Sequence, residues 1–61
     1  MTKIKEFKNG AYVSFERAMP SGYYIVKTYA PNGALMDKVV CDGYRNAVAY
    51  RKCFEGMARQ Q

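Results

Sequence analysis

Sixty-one residues leave room for one small domain, and ten lysines and arginines against five acidic residues give a net charge of +5. With no histidine and only two cysteines, the chain lacks the usual makings of a closed zinc site, a disulfide framework or a histidine general base. A chain this short buries only about 60% of its unfolded surface, so every core side chain counts.

Residues 1–9 set Lys3, Lys5 and Lys8 around two isolated apolar residues, Ile4 and Phe7. No apolar run follows the lysines, so the stretch does not read as a signal peptide. A flexible basic terminus is the expectation, its lysines available as an arm toward an anionic partner. Asn9-Gly10 then marks a turn or a strand start.

Three strand-like runs follow, over residues 11–19, 23–30 and 34–41, rich in aromatic and β-branched side chains. Pro20-Ser21-Gly22 and Pro31-Asn32-Gly33 separate them. Proline presets φ for the start of a type I turn, and glycine takes the left-handed position that closes a three-residue hairpin loop. Two such loops predict consecutive antiparallel hairpins pairing Met19 with Tyr23 and Ala30 with Ala34. Counting outward sets Val13 opposite Tyr29, Ile25 opposite Val39, Tyr29 opposite Leu35, and Lys27 opposite Asp37. One face then carries Val13, Phe15, Arg17, Tyr23, Ile25, Lys27, Tyr29, Leu35, Asp37, Val39 and Cys41, and is expected to form the core. The other carries Tyr12, Ser14, Glu16, Ala18, Tyr24, Val26, Thr28, Met36, Lys38 and Val40. A slip of one residue would exchange the partners of the first strand.

The last third reads as one amphipathic helix over residues 43–59, with Asp42 in the N-cap position. At 100° per residue Ala47, Tyr50, Phe54, Met57 and Ala58 share a side, widened by Tyr44, Val48 and Cys53. Arg45, Lys52 and Arg59 recur every seventh position on the opposite side and span about 21 Å at 1.5 Å per residue. The predicted fold is therefore α+β, a three-stranded antiparallel β-meander with one C-terminal α-helix packed on one face.

Catalysis is not expected. Cys41 and Cys53 have no histidine partner, the five carboxylates form no evident pair, and no glycine-rich phosphate loop occurs. No cofactor, metal or membrane partner is implied, and two reduced thiols suit a cytoplasmic location. The basic composition points to an anionic partner, nucleic acid or an acidic protein or nucleoprotein surface. Arg45, Lys52 and Arg59 are the first candidate residues for that contact. Tyr12, Tyr24 and Lys38, on the sheet face that a single helix leaves uncovered, are the second. The leading expectation is a non-enzymatic basic binding module that engages nucleic acid or nucleoprotein through the helix stripe, with help from the N-terminal lysines. The alternative is a protein-targeting inhibitor or adaptor of the kind phages and mobile elements encode, anti-CRISPR-type proteins among them, docking through the helix stripe or the tyrosine-bearing face. A homodimer joined through that face is the third reading.

Overall fold

A computed structural model describes residues 2–60, with the backbone alone for Thr2. Four strands and a helix follow in order: β1 (Thr2–Glu6), β2 (Tyr12–Arg17), β3 (Tyr24–Tyr29), β4 (Leu35–Cys41) and α1 (Tyr44–Arg59). The strands form one antiparallel meander in the order β1-β2-β3-β4. The helix packs against one face of it, along β3, with lesser contact to β2 and β4, and meets β1 through the Lys5–Glu55 ion pair.

Strand β1 corrects the expectation of a flexible terminus over residues 1–9, of which Met1 lies outside the described residues. Lys3 pairs with Phe15 and Lys5 with Val13, so these lysines take the helix side of the sheet while Ile4 points away from it. The lysine–isoleucine alternation reads as polar because the apolar member faces outward. The turn after β1 repeats the one after β3. Phe7 N–H donates to the Ala11 carbonyl at 2.8 Å, as Ala30 N–H does to Ala34 at 2.9 Å. In each loop an asparagine side chain, Asn9 or Asn32, accepts from the alanine N–H two residues on, at 2.9 and 3.0 Å. Gly10 and Gly33 stand at φ 91° and 90°, a left-handed conformation that a side chain disfavours.

Register differs from expectation by one residue in both predicted hairpins. The first loop has four residues, because Ala18 rather than Met19 pairs with Tyr23. Val13 therefore faces Thr28, Phe15 faces Val26 and Arg17 faces Tyr24. The second loop closes as expected on Ala30 and Ala34, and Tyr29 meets Leu35, but an irregularity between Thr28 and Tyr29 leaves Met36 as an extra residue. Beyond it Val26 faces Val39 and Ile25 faces Val40. Lys27 meets Lys38, not Asp37. The side under the helix is thus Val13, Phe15, Tyr24, Val26, Thr28, Val39 and Cys41. The opposite side carries Tyr12, Ser14, Glu16, Ile25, Lys27, Tyr29, Lys38 and Val40. Tyr24, Val26 and Thr28 move inward, and Ile25, Lys27, Tyr29 and Leu35 move outward.

Ala11, Val13, Phe15, Val26 and Cys41 from the sheet and Ala47, Phe54 and Ala58 from the helix form the buried core. Three of the large helix residues expected inside, Tyr44, Tyr50 and Met57, are exposed, and Cys53 is exposed with them. Alanines at 47 and 58 let the helix backbone approach the sheet, and the half-buried Arg51 and Glu55 take up part of the seam. Gly43 is the N-cap, and no side chain caps the helix. With the first turn starting at Tyr44, Asp42 stands one residue too early to accept from the free N–H groups.

Candidate nucleic-acid interface

Because α1 leaves β1 uncovered, a groove runs between the first strand and the flank of the helix. Three hollows lie along it. One of about 350 Å³ is lined by Lys3, Phe15, Arg17, Met19, Tyr24 and Tyr44. The next, about 290 Å³, shares Lys3 and Phe15 and adds Ile4, Lys5, Val13, Arg51 and Glu55. The third, about 390 Å³, is lined by Phe7, Lys8, Asn9 and Arg59.

Six cations, Lys3, Lys5, Lys8, Arg17, Arg51 and Arg59, line this groove against one carboxylate, Glu55. Glu55 is already engaged, 3.8 Å from the Lys5 ammonium and 3.7 Å from the Arg51 guanidinium. Aromatic rings interleave with these cations, and four of the six lie over one. Lys5 is 5.6 Å and Arg59 5.7 Å from the centre of the Phe7 ring. Arg51 is 5.2 Å from Phe15, and Arg17 is 5.6 Å from Tyr24. Such contacts hold a cation by the ring quadrupole without neutralising it, so its charge stays available to a ligand. Phe15, Tyr24 and Tyr44 form a three-ring cluster, with centres 5.6 to 6.1 Å apart, at the end where the helix begins. Asn9 fixes the other end, donating to the last-turn carbonyl of Ala58 at 2.8 Å.

The opposite flank of the helix is electrostatically different. Its hollow, about 400 Å³, is lined by Tyr23, Val39, Val40, Cys41, Asp42, Asn46 and Tyr50, with a carboxylate and no cation. Excess positive charge is therefore gathered on the β1 side.

The residues expected to bind a partner are dispersed by the fold. Arg59 joins the groove through Phe7. Arg45 and Lys52 remain on the exposed surface of the helix. Tyr24, expected on the uncovered sheet face, stands on the helix side beside Phe15 and Tyr44. Tyr12 and Lys38 do lie on the uncovered face, where Tyr12 stacks on Tyr29 at 4.4 Å. Lys38 has a second lysine, Lys27, as its neighbour there. Lys3, Lys5 and Lys8 stand in the groove, not on a loose arm. Arg17, Arg51, Phe7 and Tyr44 were not anticipated as binding residues. The twice-occurring Asn-Gly-Ala of residues 9–11 and 32–34 is the sequence signal that marks β1, and with it the groove.

Among the described residues, no group of three or more Cys, Asp or Glu side chains is placed to hold a metal ion. Among the same residues, no helix is long and apolar enough to cross a membrane. Comparison of the chain with protein-family models, curated proteins and solved structures finds no match.

Proposed function

We propose that the protein is a non-enzymatic binding module that holds nucleic acid in the groove between β1 and α1. The observation that carries this reading is the groove lining, six cations interleaved with aromatic rings against a single carboxylate that is already paired. Polyanions bind such surfaces mainly by displacing their own counterions, which makes affinity fall with salt. If Lys3, Lys8, Arg17 and Arg59 each meet a phosphate, the logarithm of the binding constant changes with log salt by about −3.6 on duplex or about −2.8 on single strands. Arg45 and Lys52 add to the attracting field from the neighbouring helix surface. The test is a salt-titrated binding assay with the wild type and a Lys3→Glu, Arg17→Glu double variant. A flat salt response, or equal binding by the variant, would count against the groove.

The uncovered sheet face supports a second reading, a docking surface for a protein target. Leu35 and Val40 are each 52% exposed there, and Ile4 is 65% exposed. Replacing Tyr12 with alanine would abolish capture of such a target without unfolding the chain; unchanged capture removes this reading.

A further inference from the structure

The groove differs in shape from a surface that reads duplex. Proteins enter duplex grooves with a convex element, a helix or a two-stranded ribbon that fits between the backbones. Here the cations and rings line a concavity, within a molecule whose two shorter dimensions are 18 and 15 Å. A concave basic cleft follows one backbone, and aromatic rings along it need bases whose faces are free. Tyr44 offers such a ring. It is 57% exposed, and it stands roughly perpendicular to Tyr24 and Phe15, 5.6 and 6.1 Å away, contacts that steady the ring. Arg17, exposed over Tyr24, presents a planar guanidinium that also stacks on an unpaired base. Opposite these rings Lys3 and Lys5 stand on one face of β1, about 7 Å apart by strand geometry, with Lys8 beyond them.

Resting on the nucleic-acid reading above, we infer that the bound form is single-stranded, with a base stacked on Tyr44 and the backbone running along Lys3, Lys5 and Lys8. Lys3 and Lys5 lie on the strand and Lys8 in the turn that follows it. So short a track suits a site at the low end of the roughly 4–16 nucleotides of single-strand binding folds.

Fluorescence anisotropy with a labelled pyrimidine 12-mer tests this, using DNA and RNA single strands and the matching duplex at one low salt concentration. Both the wild type and a Tyr44→Ala variant, checked for folding by circular dichroism, are titrated. A single strand, DNA or RNA, is expected to bind more tightly than duplex. Tyr44→Ala should weaken it by about fivefold or more, the loss of one stacked base. Tyr44→Phe should restore it, and Tyr50→Ala, on the far flank of the helix, should leave it unchanged. Duplex binding as tight as single strand, or wild-type affinity in Tyr44→Ala, overturns the inference while leaving nucleic-acid binding intact. Failure to bind any of the three probes removes both.

Discussion

The Arg51 guanidinium lies over the Phe15 ring, 5.2 Å from its centre, in the seam between helix and sheet. Its buried Nε has no hydrogen-bond partner, and Glu55 stands 3.7 Å away. Glu55 is the more buried member, its side chain 16% exposed against 32% for Arg51. Removing the carboxylate leaves a half-buried cation uncompensated, whereas removing the arginine also removes the need for compensation. Glu55→Ala is therefore expected to cost about 1–3 kcal/mol and Arg51→Met distinctly less. Urea midpoints of the two variants decide this, and the reverse order would show that the pair does not govern the seam.

Asn9 ties the first turn to the end of the helix, with Nδ2 on the Ala58 carbonyl and Oδ1 on the Ala11 N–H. Replacing it with alanine forfeits both bonds, at about 0.5–1.5 kcal/mol each. Asn9→Asp keeps the acceptor but loses the donor and puts negative charge at the negative end of the helix dipole. Both variants should speed amide exchange in the last helical turn, the aspartate no less than the alanine. Unchanged exchange at residues 57–59 in both would mean the tether is idle.

Phe54 is the largest helix side chain in the core and is 5% exposed. Phe54→Ala is expected to cost about 3–5 kcal/mol. For a chain of this size that approaches the whole stability, at about 0.05–0.15 kcal/mol per residue. The variant should show no cooperative thermal transition. Replacing the exposed Tyr50 by alanine should shift the midpoint little.

On the outer sheet face Lys27 and Lys38 stand directly opposite each other. Like charges at such a position destabilise a sheet, and an opposite pair contributes about 0.2–1 kcal/mol. Lys38→Glu should therefore raise the thermal midpoint at low salt, with the gain shrinking as salt is added. A fall in the midpoint at low salt would show that the two ammonium groups diverge enough to avoid each other.

The groove assigns unequal weight to the surface cations. Charge reversal at Lys8 or Arg17 should weaken nucleic-acid binding more than reversal at Arg45 or Lys52, which act only through the field around the helix. Dissociation constants for the four single variants at one salt concentration give the order. A larger loss at Arg45 and Lys52 would return the contact to the exposed helix stripe.

What could be read from residue order was local. Pro31-Asn32-Gly33 marks a hairpin loop that closes where expected, and the helix and the three longer strands carry clear periodicity. What escaped that reading depends on partners distant in the chain. Lys3 and Lys5 look like a solvated terminus until β2 supplies their hydrogen bonds. Arg51 and Glu55 look like the polar side of the helix until Phe15 and Lys5 come beside them, and Tyr50 and Met57 look like core until the two alanines set how the helix lies. The candidate site suffered most for this reason. Arg59 and Tyr24 were singled out and do line the groove, but for different neighbours than their sequence positions implied.

The four-residue first loop and the extra residue at Met36 each move a strand by one position. Because both act on β3's neighbours, the two offsets agree, and Phe15, Val26 and Val39 stay in line under the helix. Deleting Met36 alone would keep Tyr29 opposite Leu35 and Thr28 opposite Asp37, with Lys38 outside and Val39 inside, and would make the ladder regular. A residue lost or gained inside a paired stretch, between Val13 and Phe15 or between Asp37 and Val39, would instead turn the rest of that strand over. The bulge is thus one of the few places in the sheet where a descendant of this chain can change length without exchanging its buried and exposed faces.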